Sequence, residues 1–270
     1  MDWLDLLQEC AQRVRRAVLP LLGSVEAGAG FGLGAGGDVI KRIDLVAEKA
    51  LIDTLRDHGA SCTLISEETG IKKIGTQPHE LFLTVDPLDG TTNAVRGLPF
   101  MATSMAVSRT PHLQDVEFAL VSDLFHDVTY TARRDRGASR NGREIKPSSI
   151  SSLEDAVIGI DFNSLKVRDL ITRLLPILEG ARHLRHLGAN ALEVCYVADG
   201  TTDAFIDLRG KLRVTDIAAA HLILREVGGL MVTPQGQEMS VPLDASQRVS
   251  FIASANTQLH KVIMEYLTST

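Results

Sequence analysis

Aromatic residues are scarce in this 270-residue chain: they make up 4% of it, and Trp3 is the one tryptophan. A pocket that stacks an adenine ring is hard to build from so few rings. Basic residues are also short, 28 Lys+Arg against 34 Asp+Glu for a formal charge of −6, whereas a nucleic-acid binder carries a basic face. The three cysteines, Cys10, Cys62 and Cys195, are odd in number and far apart, and none lies in a CxxC or Cys/His cluster. That argues against a disulfide framework or a zinc ribbon and leaves the reduced thiols of a cytoplasmic protein. No apolar run approaches the ~20 residues of a membrane span. Arg13, Arg15 and Arg16 follow the first apolar positions, the reverse of a secretory signal. We therefore expect a cytoplasmic chain with neither a nucleic-acid nor a membrane partner.

What is present is ordinary globular material, 44% hydrophobic and 23% charged. A chain of this length buries roughly three quarters of its unfolded surface without a staple. It divides into an N-terminal α+β region, 1–150, and a C-terminal region, 151–270, that completes one compact unit. Apolar residues at three- and four-residue steps predict helices over 3–22 and 38–56, the second capped by Asp38. Between them a Gly/Ala-rich stretch, 27–37, lacks periodicity and reads as a mobile loop. It contains Gly32-x-Gly34-x-x-Gly37, but a dinucleotide fingerprint must follow a strand, and here a helix and Pro20 precede it. Strands are expected over 62–65, 81–85, 101–107, 116–121, 128–132, 156–160, 204–207, 230–232 and 249–253. Helices are expected over 167–178, 190–198, 216–227 and 257–267. Mixed runs of this kind favour a layered α+β fold over a barrel.

The chemistry concentrates where short apolar strands end in carboxylates. The strand at 81–85 runs into Asp86-Pro87-Leu88-Asp89-Gly90-Thr91-Thr92-Asn93, in which Pro87 stiffens the link and Gly90 permits a tight turn. Gly90, Thr91 and Thr92 then offer a row of backbone amides suited to an anion. A second acidic pair, Glu67 and Glu68, follows the strand at 62–65. Asp216 opens an almost wholly apolar helix and so projects from a buried end, where a carboxylate needs a partner. Taken singly, Asp86 and Asp89 are also common turn formers and Asp216 a common helix cap. Together, oxygen ligands of this type suit a hard cation, above all Mg2+.

These pieces, with Asp38 to Asp44, Leu187-Gly188-Ala189 and Gly228-Gly229, resemble the magnesium-dependent, lithium-sensitive phosphatases of the inositol monophosphatase and fructose-1,6-bisphosphatase superfamily, in its archaeal dual-activity branch. They occur in the family's order from about residue 38 to 229. The resemblance implies a sugar-phosphatase fold, an α-β-α-β-α sandwich, and a homodimer. It implies that Glu67, Asp86 and the Leu88 carbonyl hold a first Mg2+, that Asp86, Asp89 and Asp216 hold a second, and that a weaker third shares Glu67, with Mn2+ as a substitute. Asp44 and Thr91 would orient the attacking water. Glu68, counted with the catalytic residues, and Asp38 would support a mobile metal-binding region that includes Lys41. Gly90, Thr91, Thr92, Gly188 and Ala189 would bind substrate. Thr215 and Ala94 replace aromatic residues common in relatives, which leaves the ligands intact and alters the packing around them.

Arg209, Lys211 and Arg213 place three cations just before Asp216; alternating charge of this kind reads either as a solvated face or, from its position beside the acidic cluster, as a site for a second substrate phosphate. Arg182, Arg185 and His186 are expected to extend that pocket. The reading is a phosphomonoester hydrolase acting on fructose-1,6-bisphosphate, inositol-1-phosphate or both. Two alternatives stand beside it: a 3′-phosphoadenosine 5′-phosphate nucleotidase, and a non-enzymatic phosphate-ligand sensor.

Overall fold

The computed structural model describes residues 2–35, 37, 39–77, 80–164 and 167–268. Helix α1 (Trp3–Val18) begins where Asp2 accepts the Leu4 amide, and Pro20 closes it in a 3-10 turn. The Gly/Ala stretch is not a loop: β1 (Gly30–Leu33) and β2 (Val39–Lys41) pair antiparallel across it. A strand–turn–strand unit has no helix to receive a pyrophosphate, so the dinucleotide pattern carries no meaning here. Helix α2 (Arg42–Asp57) consequently starts later than its apolar period suggested, with Lys41 at the cap in place of Asp38, which lies outside the described residues.

Then come β3 (Cys62–Ser66), β4 (Gly70–Ile74), β5 (Phe82–Asp89), α3 (Thr91–Arg96), β6 (Ala102–Ser108), β7 (Val116–Asp123), β8 (Val128–Arg133), β9 (Ala138–Arg140) and β10 (Arg143–Glu144). The C-terminal half adds β11 (Val157–Ile160), α4 (Val167–Gly180), β12 (His183–Arg185), α5 (Asn190–Ala198), β13 (Ala204–Arg213), α6 (Val214–Glu226), β14 (Leu230–Val232), β15 (Arg248–Ser254) and α7 (Thr257–Thr268). One sheet has the order β10-β9-β8-β7-β6-β5-β3-β4 and the other β12-β11-β13-β15-β14.

Strand alternation sorts the core into layers. Leu64, Leu83, Met105 and Leu120 pack on α1 and α2, while Ile65, Ala106, Ala119 and Val121 face the opposite way onto α5 and α6. Phe205, Phe251 and Ala253 of the smaller sheet close that second core, and Ile206 and Ile252 turn away to meet α4 and α7. The layers run α-β-α-β-α, as expected. Helix α6 is buried continuously from Val214 to Leu224, which is why its sequence lacks a polar face. Cys10, Cys62 and Cys195 are free and buried, and burial pushes the Cys10 and Cys62 thiols up to about 12. Among the described residues no helix is long and apolar enough to cross a membrane.

The end of β5 positions the site. In a regular strand, residues three apart face opposite sides. The β5–β6 register shifts between Asp86 and Asp89: Asp86 pairs with Ser104 but Asp89 with Ala102, leaving an extra residue on β5. This bulge, with Pro87 lacking an amide to donate, brings both aspartates to one cavity. Gly90 follows at φ +89°, and a Cβ there would stand 3.0 Å from the Phe100 carbonyl oxygen and 3.1 Å from the Ala189 Cβ. Gly90→Ala should therefore cost at least about 1–2 kcal/mol from the left-handed backbone alone. Thermal unfolding should show a lowered Tm; an unchanged Tm would contradict the assignment of strain to this turn.

Candidate active site

A cavity of about 790 Å3 opens where the C-terminal end of β5, the end of β3, and the N-termini of α3, α5 and α6 converge. Asp44, Glu67, Glu68, Asp86, Asp89 and Asp216 line it, together with Lys41, Leu88, Gly90, Thr91, Thr92, Gly188 and Lys211. One oxygen from each of Glu67, Asp86 and Asp216 lies within 4.8 Å of the others. Asp89 shares the cavity but stands outside this trio, and its Oδ2 accepts the Ala191 amide at 2.7 Å.

Each carboxylate is held by its local backbone. Asp86 accepts the Leu88 amide at 3.0 Å across the bulge. Asp216, at the third position of α6, accepts the Arg213 amide at 3.2 Å and the Thr215 hydroxyl at 2.9 Å. Asp44 occupies the equivalent position in α2, accepting the Lys41 amide at 2.7 Å through Oδ2 and the Thr91 hydroxyl at 2.8 Å through Oδ1. The hairpin reaches the site through the Ala35 amide, which donates to the Glu68 carbonyl oxygen at 2.9 Å. Asn93 donates to the Phe100 and Leu187 carbonyl oxygens, both at 2.8 Å, and so ties the start of α3 to the 187–188 turn.

Burial raises the carboxyls of Glu67, Asp86, Asp89 and Asp216 above their ordinary range. For Glu67, Asp86 and Asp89, repulsion by the neighbouring carboxylates adds to the effect. Burial likewise pushes Asp44 up to about 6 and Glu193 up to about 7. The donor set is oxygen only, buried and mutually repelling, which is the chemistry of a hard divalent cation and not of a thiolate or imidazole metal.

The basic residues are arranged differently from expectation. Arg209, 7% exposed, is bridged to Asp161 at 2.7 Å and Asp207 at 2.5 Å, so its charge is already matched by two carboxylates. Arg213 bridges Glu67 at 2.5 Å. Among the three expected phosphate-binding cations, Lys211 alone is exposed at the cavity. Arg182 pairs with Glu154 on the surface and Arg185 donates to the Leu184 carbonyl oxygen, so neither extends the pocket; His186 does line it. Ala189 is fully buried, with its side chain packed beneath Gly90 rather than presented to a ligand. Asn163 and Asn190 also line the cavity, and no motif or charge pattern marks them in the sequence. The carboxylate of Glu193, in the first turn of α5, accepts the Gly188 amide at 3.1 Å and so braces that turn.

With these carboxyls raised, the folded, metal-free chain holds more protons than the unfolded one between the ordinary carboxylate range and about pH 7. Its stability should therefore fall as pH rises from about 5 to about 7, and an added divalent cation should raise the Tm more at the higher pH. Thermal unfolding at both pH values, with and without the cation, checks this. A cation effect of the same size at both would contradict it.

A family model described as the inositol monophosphatase family matches residues 4–270. The fructose-1,6-bisphosphatase/inositol-1-monophosphatase of Methanothermobacter thermautotrophicus is 38% identical over 273 residues, covering 98% of this chain and 96% of that protein. The bifunctional NADP phosphatase/NAD kinase of Methanococcus maripaludis is 34% identical across 98% of this chain, which spans 49% of that longer protein. Among solved structures, an inositol monophosphatase-fructose 1,6 bisphosphatase superposes with a TM-score of 0.86 at 27% identity, covering 98% of this chain and 100% of that one. Sequence, fold and the convergent carboxylates agree, and the chain belongs to the inositol monophosphatase family.

Proposed function

We propose that this protein is a Mg2+-dependent phosphomonoester hydrolase that releases phosphate from fructose-1,6-bisphosphate, inositol-1-phosphate or both. The observation that carries the reading is the convergence of Glu67, Asp86 and Asp216, with Asp89 in the same cavity, in a family that is metal-dependent. Glu67, Asp86, the Leu88 carbonyl, Asp89 and Asp216 would hold two cations, with a third, weaker one beside Glu67. Mn2+ fits the same oxygen donors. A bound divalent cation supplies Lewis acidity toward phosphoryl oxygens and acidifies water.

The chain's own groups perform the rest. Thr91 donates a hydrogen bond from its hydroxyl to Asp44, which would leave its oxygen lone pairs to accept a hydrogen bond from the attacking water and so orient it. Glu68 stays near the metal carboxylates on the turn to which the hairpin docks. The amides of Gly90, Thr91 and Thr92, which line the cavity, would stabilise the oxygens over which phosphoryl-transfer charge spreads. Lys41 and Lys211 add positive charge at the rim and support binding of a second phosphate or of polyol oxygens. Three free buried thiols support a reducing, cytoplasmic setting.

Retention of the whole carboxylate set favours an enzyme over a ligand sensor. Asp216→Asn keeps an oxygen to accept the Arg213 amide while deleting a charged cation ligand. It should lower kcat by more than the factor of about 10–100 typical of outer-shell changes, with the Tm of the metal-free chain not lowered, because a buried repelling charge is removed. Phosphate release should be compared on fructose-1,6-bisphosphate, inositol-1-phosphate, NADP and 3′-phosphoadenosine 5′-phosphate, with Mg2+, Li+ or chelator added. We expect turnover of the first two, inhibition by Li+ and none in chelator. Full activity in chelator, or in Asp216→Asn, sinks the mechanism; preference for NADP or the adenosine bisphosphate replaces the substrate.

A further inference from the structure

Helix α2 carries two buried carboxylates, Asp44 and Glu48, 2% and 3% exposed, four residues apart and hence on one face. Asp44 holds Thr91. Glu48 is not in the cavity lining, and its Oε1 accepts two hydroxyls, from Ser66 at 2.5 Å and from Thr69 at 2.7 Å. Those two donors flank Glu67 and Glu68. The Ser66 oxygen in turn accepts the Glu68 amide at 3.3 Å, so one carboxylate oxygen organises both ends of the acidic turn. A buried carboxylate satisfied by hydroxyls alone is a costly way to fill a core position that an apolar residue would fill more simply. Its placement has a different consequence. The turn bears two adjacent carboxylates that repel each other and their neighbours. Arg213 bridges the Glu67 side chain and the Glu67 amide donates to the Val85 carbonyl oxygen, but it is Glu48 that ties both flanks of the turn, Ser66 and Thr69, to one helix.

We propose that Glu48 is the positioning residue that sets the 66–69 turn, and through it Glu67, at the cation site. Asp44 one helical turn earlier sets Thr91, so α2 is the single rigid element that aligns cation capture with orientation of the nucleophile. The inference rests on the metal-site reading above and deepens it.

The test measures Mn2+ binding by isothermal titration calorimetry on the full chain, alongside the Tm and kcat at saturating Mn2+. Glu48→Ala should weaken Mn2+ binding about 10–100-fold, the range for outer-shell partners of metal ligands, while kcat at saturating cation is mostly retained. Glu48→Gln keeps a carbonyl oxygen to accept both hydroxyls and should bind nearly as the wild type does. Thr69→Val, which removes one of the two donors at a partly exposed position, should fall between them with little change in Tm. Wild-type affinity in Glu48→Ala overturns the inference, as does an equal loss in Glu48→Gln, which would make charge rather than position the cause. Should Glu48→Ala fail to fold, wild-type affinity in Thr69→Val overturns it instead. A wild-type chain that binds no Mn2+ overturns the metal site itself, an outcome distinct from wild-type binding that the variants leave unchanged.

Discussion

Four carboxylates that repel one another, Glu67, Asp86, Asp89 and Asp216, are held out of water in one cavity, and most of the surrounding structure serves to keep them there. Left to themselves, like charges in a low-dielectric cleft would separate or protonate. Separation is closed to them here, so in the metal-free chain their raised carboxyls relieve the repulsion by taking up protons. Asp86 and Asp89 sit on a bulged strand inside a sheet, Asp216 on the first turn of a fully buried helix, and Glu67 on a turn anchored from several sides. Preorganised strain of this electrostatic kind is what makes a site bind a hard cation tightly, since the cation relieves a repulsion already present.

The five layers are a consequence of the same requirement. A cavity floored by strand ends and helix starts needs two sheets whose ends meet, with a helix pair between them that is apolar on every side. Helices α5 and α6 fill that role, and each delivers a group at its N-terminus: Asp216 from α6, and the Ala191 amide that Asp89 accepts from α5. The outer helices have a different task. Helix α1 is a cover for the larger sheet, but α2 presents Asp44 and Glu48 inward from the same layer and fixes two loops at once.

Basic side chains near the cavity are mostly committed to other carboxylates. Arg209 neutralises Asp161 and Asp207, and Arg213 stands against Glu67. Three cations in five residues look in the sequence like a phosphate clamp. An alternating strand, a bulge between Asp207 and Leu212, and a glycine turn at Gly210 aim them in different directions. Charge spacing along a chain cannot reveal that divergence: Asp207 is two residues from Arg209, but Asp161 follows β11 and Glu67 follows β3, both far away in sequence.

Much was nevertheless readable in advance. The spans of α5 and β14 follow directly from apolar runs bounded by turn residues. The acidic cluster stands out only as a set: each acid taken singly is an ordinary turn former or helix cap, but two strands ending in acids and an apolar helix opening with another suit one cation. The hairpin of β1 and β2 was hidden because glycine carries no periodicity, and Glu48 was hidden because an acid inside a helix usually faces solvent. The sequence by itself determined the longer helices and strands, the layered class and the chemistry of the acidic residues, all of which depend on local pattern and side-chain identity, but not the short strands β1, β2, β4, β9, β10 and β12. Tertiary structure alone decided which charges meet. A bulge turned two aspartates to one side, a buried pair of acids claimed Arg209, and α2 linked two loops, because electrostatic pairing depends on distance through space and not on separation along the chain.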